Sequence, residues 1–179
     1  FKAALCGNLA AVEIAKKSGF HIIASEGLNL TNSESLETAK QLGALAAVIS
    51  PEELIKESRD IYSPIPKGII AYGNIPLMLF KNCPLKNGIS CKECDKKGVI
   101  TDRLGVEFPV RCRMGYSELL NSVPIWLADR KAELKGFDFS VLYFTRESKE
   151  RVSEVISAYT NGSKPDTKHT RGLYYRGTF

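Results

Sequence analysis

Short apolar runs alternate with helix signals along this chain, and that alternation limits its fold more than any other feature. Strands are predicted at residues 3–6, 20–24, 45–49 and 68–72. Helices are predicted between them at 9–17, 33–43 and from a Ser50-Pro51-Glu52-Glu53 capping box to about residue 61. Strands that alternate with helices indicate βαβ units and a parallel sheet, which makes this an α/β protein.

The pattern breaks after Gly73 and returns later. Residues 82–98 are rich in Cys, Lys, Gly and Asn, and residues 99–103 and 106–111 flank Leu104-Gly105 as a predicted hairpin. Strands follow at 125–127 and 140–144, with helices at 128–134 and 148–159. We therefore expect about six parallel strands with a cysteine-rich loop and hairpin inserted among them.

A closed (β/α)₈ barrel typically needs about 250 residues, and this sequence has 179. The pattern is therefore interpreted as a partial TIM-like barrel: residues 1–160 would form the C-terminal part of such a barrel. The insertion spans 82–113, and 161–179 is an irregular C-terminal tail. Such a partial barrel has an unpaired edge and an exposed sheet face. We expect these to be covered by a missing N-terminal barrel half or by a partner chain.

The composition is that of a globular protein, with 44% hydrophobic and 25% charged residues. No secretory segment opens the sequence, and no window is apolar enough to predict a membrane span, so we expect a cytoplasmic location. The formal net charge is +5, and the basic excess is concentrated at 81–113 and after 164. This excess could attract an anionic partner such as RNA, but an ordinary solvated surface is the favoured interpretation of a charge of +5.

Four of the five cysteines form a cluster in the sequence, in the order Cys-x7-Cys-x2-Cys-x17-Cys: Cys83, Cys91, Cys94 and Cys112. Disulfides are not favoured, because nothing indicates secretion. Unrelated core cysteines are not favoured either, because three of them lie in a polar loop. A four-thiolate metal site fits best, since a Cys-x2-Cys pair aims both sulfurs at one ion. Cys6, inside an apolar run, is interpreted as a small buried hydrophobe.

The identity of the metal stays open at this point. Zinc would occupy a closed, structural four-thiolate site. An iron–sulfur cluster accepts the same four ligands with freer spacing. Zinc ribbons carry two Cys-x2-Cys pairs and this chain has one, which favours an iron–sulfur cluster, with [4Fe-4S] first and zinc as the alternative.

Catalytic motifs of known proteases are missing from the sequence. There is no Gly-x-Ser-x-Gly and no His-Glu-x-x-His, and the two histidines, His21 and His169, are interpreted as structural and surface residues. The catalytic residues are therefore left unassigned.

Candidate substrate-binding residues come from the loops that follow the predicted strands and from the tail, because barrel enzymes build their sites at strand C-terminal ends. They are Asn29, Asn32, Asn74, Arg130 and Arg171. For Asn29 and Asn32, hydrogen bonding within a loop or helix cap is an equal alternative. Arg171 would either close the barrel end or bind an anion.

Several motifs, in a specific order, resemble one known family. They are Asn29-Leu30-Thr31-Asn32-Ser33, Ser50-Pro51-Glu52-Glu53-Leu54, Tyr72-Gly73-Asn74-Ile75-Pro76-Leu77-Met78, Cys83, Cys91, Cys94, Asp102-Arg103, Phe108-Pro109-Val110, Cys112, Asn121-Ser122 and Thr170-Arg171-Gly172. Together they resemble the collagenase-like peptidase family of unassigned catalytic type, peptidase family U thirty-two. The resemblance covers nearly the whole chain.

This resemblance implies a TIM-like barrel whose four cysteines hold an iron–sulfur cluster. In several branches of the family the cluster serves oxygen-independent hydroxylation of an RNA base or of a quinone precursor. Our leading expectation is therefore a metal-cluster enzyme. The alternatives are a collagenase-like peptidase acting on a protein substrate, with structural cysteines, and a non-enzymatic, zinc-stapled interaction module completed by a partner chain.

Overall fold

A computed structural model describes residues 2–86, 90–94, 98–113 and 115–176 of the chain. It is an α/β protein with two sheets. The strands are β1 Ala3–Cys6, β2 His21–Ala24, β3 Ala44–Val48, β4 Lys67–Gly73, β5 Pro76–Phe80, β6 Val99–Thr101, β7 Glu107–Arg113, β8 Tyr116–Leu120, β9 Ile125–Trp126 and β10 Phe139–Tyr143. The helices are α1 Leu9–Lys17, α2 Ser33–Gln41, α3 Ile55–Asp60, α4 Lys131–Leu134 and α5 Lys149–Asn161.

The larger sheet is mostly parallel, in the order β1-β2-β3-β4-β10. The predicted βα alternation is confirmed in these five strands, which all run in the same direction. Among the described residues no pairing joins β10 to β1, so the sheet is open and no closed barrel is formed. Strand β4 lies between β3 and β10 and is buried along its whole length.

The strand predicted at 125–127 is present as β9, but its expected parallel direction is wrong. The helix predicted over 128–134 is present only in part as an α-helix. Strand β9 pairs antiparallel with β4, with Trp126 opposite Tyr72. The chain reaches β9 from β8 through residues 121–124, and the two strands belong to different sheets. A 3₁₀ turn, Ala128–Arg130, then precedes the single turn of α4.

The insertion forms a separate antiparallel sheet in the order β5-β8-β7-β6. The predicted hairpin is confirmed as β6–β7, and Oδ1 of Asp102 accepts hydrogen bonds from the main-chain N–H groups of Leu104 and Val106 inside its turn. The sequence did not predict β5 and β8. Three successive apolar side chains of β5 are exposed, Leu77, Met78 and Leu79, so this strand lacks the alternation that marks a half-buried strand.

Helix caps explain most of the helix starts. Oδ1 of Asn8 caps α1, Asn32 and Ser35 form a capping box on α2, and Oγ of Ser148 caps α5. The predicted capping box at Ser50 is wrong, because α3 begins at Ile55 without a side-chain cap. The Ser50 hydroxyl makes a tertiary hydrogen bond instead.

The segment after α5 is largely irregular, and its described part joins the core. Tyr174 is buried beneath the parallel sheet and donates a 2.8 Å hydrogen bond to the carbonyl of Ile70 in β4. Thr170 makes a parallel bridge to Ile125. Residues 177–179, at the end of the predicted tail, and 87–89, 95–97 and 114, inside the predicted insertion, lie outside the described residues.

No helix in the described parts of the chain has the length and apolar character needed to cross a membrane.

Candidate functional site

A cleft of about 1190 Å³ lies at the C-terminal ends of the parallel strands. Its floor is built by the loops that follow β1, β2 and β3, and its wall by β5 of the antiparallel sheet. Loops at this edge of parallel strands are where α/β proteins bind ligands, because side chains from several strands converge there. The cleft is therefore the candidate site.

Asn29 and Ser50 meet on the floor of the cleft. The Ser50 hydroxyl is buried and donates a 2.7 Å hydrogen bond to Oδ1 of Asn29, while it accepts a 3.4 Å hydrogen bond from the N–H of Glu52. Asn29 has φ 50° and ψ 54°, the left-handed conformation that asparagine tolerates better than most residues. The side chain of Asn29 is therefore held by both its backbone and Ser50.

Asn8 and Asn121 also line the cleft. Oδ1 of Asn8 accepts from the N–H of Ala11, and Oδ1 of Asn121 accepts from the N–H of Ser122. A glycine pair brings the first two loops together: a Cβ on Gly27 would lie 2.6 Å from the carbonyl oxygen of Gly7. Only glycine permits this approach.

The charged side chains of the cleft belong to two groups. The first group is held in an ion pair: Oε2 of Glu118 accepts a 2.5 Å hydrogen bond from Nε of Arg111. Arg111 also donates a hydrogen bond to the Tyr143 hydroxyl. Arg111 lies 5.3 Å from the centre of the Tyr143 ring, so this contact joins the antiparallel sheet to β10. The second group, Glu26, Glu52, Lys81 and Arg176, makes no ion pair with any other described residue.

The predicted substrate-binding residues do not all come together. Of the five, Asn29 alone is among the residues that line the cleft. Asn32 caps α2, and Nδ2 of Asn74 donates a 2.7 Å hydrogen bond to the carbonyl of Asn121, which braces the β4–β5 turn.

The two predicted arginines make contacts outside the cleft. Arg130 is half exposed, 3.7 Å from Glu133 and 5.9 Å from the centre of the Tyr175 ring. Arg171 donates to both carboxylate oxygens of Asp129 and to the carbonyl of Trp126. Its guanidinium therefore holds the C-terminal segment against β9.

Sequence reasoning missed Asn8, Asn121, Glu118, Lys81 and Arg176 as lining residues. Asn8 caps α1, and its position directly after β1 could have indicated the site. Glu118 and Lys81 adjoin strands that the sequence did not predict. No signal in the sequence pointed to Arg176.

No disulfide bond joins any two of the five cysteines, all of which lie within the described residues. Cys6 is buried, as predicted, and burial raises the pKa of its thiol. Cys83 and Cys94 are partly buried, and Cys91 and Cys112 are exposed. Within the described residues no three His, Cys, Asp or Glu side chains form a group that could hold a metal ion.

Two of the segments that carry these cysteines, those of Cys83 and Cys112, meet at Gly98. Leu85, two residues after Cys83, packs on Gly98, where an added Cβ would lie 2.1 Å from its Cδ1. The carbonyl of Gly98 accepts from the N–H of Val110, two residues before Cys112. Cys91 and Cys94 share one turn, in which the N–H of Cys94 donates to the Ser90 carbonyl.

The four thiols therefore fit a metal centre in their chemistry, because none is tied up in a disulfide bond and each is at least partly accessible. Only the segments of Cys83 and Cys112 are shown to converge, at Gly98. As the described residues stand, their sulfurs are not arranged as a ligand set.

The structure is that of an α/β protein with a cleft at the C-terminal edge of an open, mostly parallel sheet. Comparison with models of protein families, with curated proteins and with solved structures finds no match to this chain.

Proposed function

We propose that this chain is the C-terminal part of a U thirty-two-type (β/α) barrel enzyme that binds its substrate in the cleft and carries a four-cysteine metal centre. The observation that carries the proposal is the position of the cleft. It lies between the C-terminal ends of the parallel strands and the antiparallel sheet, and the segment of Cys83 packs through Leu85 on Gly98 at the start of β6.

The residues of this chain would bind and orient the substrate. Asn8, Asn29 and Asn121 offer side-chain amides from three different loops, and their positions are set by hydrogen bonds to Ala11, Ser50 and Ser122. The exposed apolar side chains of β5 form the facing wall and would exclude water from one side of a bound molecule.

Cys83, Cys91, Cys94 and Cys112 would hold the metal centre. An iron–sulfur cluster, [4Fe-4S] by preference, would supply electron transfer for the oxygen-independent hydroxylation of an RNA base or a quinone precursor that the family resemblance implies. Lys81 and Arg113 are exposed cations near the cysteines in the sequence and would offset the charge of the thiolates. Zinc at the same residues would brace the loop instead.

The open edge of the parallel sheet supports a missing barrel half or a partner chain. Leu5 of β1 is 54% exposed and Leu45 of β3 is 55% exposed, although parallel sheets normally have both faces covered. The carbonyls of Lys2 and Cys6 accept from β2, so by strand alternation the backbone groups of Leu5 face the open edge. A further βα unit would cover both the open edge at β1 and the exposed face of the sheet.

The first experiment is to measure iron, zinc and acid-labile sulfide in protein purified without oxygen. The parent is compared with Cys91→Ser, and Cys6→Ser is the matched control because Cys6 is buried away from the loop. Iron and sulfide in the parent and in Cys6→Ser, lost in Cys91→Ser, would support the proposal.

The other outcomes separate the alternatives. Stoichiometric zinc lost in Cys91→Ser would favour the zinc-stapled module. Cleavage of a denatured protein that survives in Cys91→Ser would favour a peptidase with structural cysteines. Folded parent protein without metal would overturn the metal centre.

A further inference from the structure

The edge of β5 that does not pair with β8 runs along the cleft. Strand β5 is the last strand of the antiparallel sheet, and β8 is its one partner among the described strands. Every residue from Ile75 to Lys81 lines the cleft. Because neighbouring side chains of a strand point to opposite faces, a cleft that meets all of them follows the edge of the strand rather than one face.

The pairing of the sheet shows that the main-chain groups of Leu79 face this open edge. The N–H of Val110 donates to the carbonyl of Gly98, so the main-chain groups of Val110 face β6. Leu119 lies opposite Val110, and its groups therefore face β5, whereas those of its neighbour Glu118 face β7. Leu79 lies opposite Glu118, in a pair that exchanges no hydrogen bonds. Its N–H and C=O therefore point away from β8.

The other end of β5 gives the same result. The carbonyl of Ile75 accepts from the N–H of Asn121, so the carbonyl of the next residue, Pro76, faces the open edge. Proline has no N–H to leave unpaired there, which is why prolines of sheets lie at edges. Pro76 and Leu79 face the same way although they are three residues apart, because the register shifts between Pro76 and Met78.

The middle of this edge is apolar and uncovered. Leu77, Met78 and Leu79 are 50%, 53% and 70% exposed. Edges of this kind pair with other chains unless a charge, a bulge or another segment protects them. A strand added here would satisfy the main chain of Leu79 and bury its side chain.

The cleft has room for one strand beside β5. The five residues of β5 span about 17 Å, so a cleft of about 1190 Å³ has a cross-section of about 70 Å² along them. One strand of a sheet occupies about 50 Å². The loops after β1, β2 and β3 form the opposite side, so a second copy of this chain, which would bring its whole sheet, does not fit.

The charges of the cleft are complementary to a segment that carries both signs. Lys81 lies directly after β5, and Arg176 also lines the cleft, whereas Glu26 and Glu52 lie on the floor loops. None of these four side chains makes an ion pair with a described residue. A peptide with one acidic and one basic side chain can pair with both groups.

We propose that the open edge of β5 binds an extended peptide segment of a protein partner as an added β-strand, with an apolar residue opposite Leu79. The N–H and C=O of Leu79 exchange two hydrogen bonds with that residue. This inference goes beyond the proposed function: it requires no metal centre, and no bond of the peptide is broken. A segment bound here fills the cleft and competes with the substrate of the proposed enzyme.

The test uses the peptide acetyl-Lys-Val-Thr-Val-Thr-Glu-amide, titrated into ¹⁵N-labelled protein. We expect the backbone amide signal of Leu79 to shift and saturate. At a peptide concentration of about ten times its Kd, hydrogen exchange of the Leu79 amide should slow by roughly tenfold. The amide of Phe80 is the internal control, because by alternation it faces β8 and is already paired.

N-methylated peptides separate main-chain pairing from side-chain contact. The valines, which match Leu79, present their N–H groups to β5, and the threonines present theirs to the other side. Methylation of both valine nitrogens should weaken binding by at least about tenfold, and methylation of both threonine nitrogens should weaken it much less.

Leu79→Pro removes the donor of the protein. Proline is tolerated where the N–H of an edge strand faces away from its neighbour. Leu79→Ala is the matched control, because it shortens the side chain and keeps the N–H. The proline variant should bind the peptide at least about tenfold more weakly than the alanine variant, and backbone amide spectra show whether each is folded.

No saturable shift at Leu79, or equal weakening by the two methylated peptides, would overturn the proposal. Slower exchange at Leu79 with rising protein concentration, without peptide, would overturn it too, because a second copy would then cover the edge. The metal measurement is separate: bound iron without peptide binding would overturn the docking site alone, and peptide binding to folded, metal-free protein would overturn the metal centre alone.

Discussion

The two terminal nitrogens of Arg171 donate hydrogen bonds to the two carboxylate oxygens of Asp129, at 2.7 and 2.8 Å. The two residues lie 42 positions apart in the chain. Both side chains are mostly buried. The pair attaches the segment after α5 to the turn that follows β9, so the position of Tyr174 beneath the sheet depends on it.

Arg171→Lys should destabilise the fold. Lysine keeps the positive charge but loses the planar fork that matches a carboxylate, and a buried oxygen of Asp129 is left without its donor. We expect the free energy of unfolding in urea to fall by about 1–3 kcal/mol. Arg130→Lys is the control, because Arg130 lies 3.7 Å from Glu133 in an exposed pair that should contribute little. Equal losses in both variants would contradict a special role for the Arg171 pair.

The same pair predicts a dependence on acidic pH. Hydrogen bonds from Arg171 hold the pKa of Asp129 below its ordinary value. A carboxyl whose pKa is lowered by folding stabilises the protein above its unfolded pKa, about 4, and loses that contribution as the pH falls through its folded pKa. The free energy of unfolding, measured from pH 6 to pH 2, should therefore drop less steeply in Arg171→Lys than in the parent.

Gly98→Val should loosen the cysteine-bearing segments. A side chain at this position would meet Cδ1 of Leu85 at 2.1 Å, so Leu85 must move away from the hairpin. We expect faster alkylation of Cys83 and a lower metal content in this variant.

The double variant Leu85→Ala/Gly98→Val supplies the control for this steric argument. Removing the Leu85 side chain makes room for the new valine, so part of the lost protection of Cys83 should return. If the two changes are simply additive, the contact between Leu85 and Gly98 does not organise the loop.

Lys67→Met should leave carbonyl groups at the C-terminal end of α3 without a hydrogen-bond donor. The buried ammonium of Lys67 donates to the carbonyls of Ser58, Arg59 and Ile61, at 3.1, 2.5 and 2.5 Å. Methionine fills the same space but leaves these acceptors without a donor, so we expect a loss of about 2–3 kcal/mol in urea unfolding. Lys56→Met, on the exposed face of the same helix, should change stability by less than about 0.5 kcal/mol.

The raised pKa of Tyr72 predicts that the protein loses stability at high pH. Burial, and then the carboxylate of Glu147, raise the pKa of Tyr72 to about 12. In the unfolded chain a tyrosine has a pKa of about 10, so the contribution of the neutral phenol is complete below pH 10 and is lost as the pH rises through about 12.

Glu147→Gln tests the charge contribution directly. It removes the negative charge beside the Tyr72 hydroxyl while the amide oxygen can still accept its hydrogen bond. A spectrophotometric phenol titration should then show one tyrosine ionising at lower pH than in the parent. An unchanged titration curve would mean that burial alone sets this pKa.

The parallel part of the fold was predictable because its determinants are local. The apolar runs of β1 to β4, the caps at Asn8, Asn32 and Ser148, and the glycines after the helices lie within a few residues of the elements that they define. The hairpin β6–β7 was predictable for the same reason, since Asp102 organises its turn through its own neighbours.

The site was predictable only in part. Asn29 was found because it follows a predicted strand, but Asn32 and Arg130 follow the same rule and make contacts elsewhere. Arg171, which was taken from the predicted tail, pairs with Asp129 outside the cleft. Whether a loop residue faces the cleft depends on the orientation of its loop. That orientation comes from contacts such as Ser50 with Asn29, which lie 21 residues apart.

The sequence by itself determined the α/β class and the order in which the parallel strands and their helices occur along the chain. It also determined the grouping of four cysteines in one insertion. These features could be predicted because spacing and periodicity are properties of neighbouring residues. The tertiary structure alone decided the antiparallel course of β9, the second sheet, and which amides line the cleft. Those features arise from pairing between distant segments, and the free energy of such pairing depends on the whole fold.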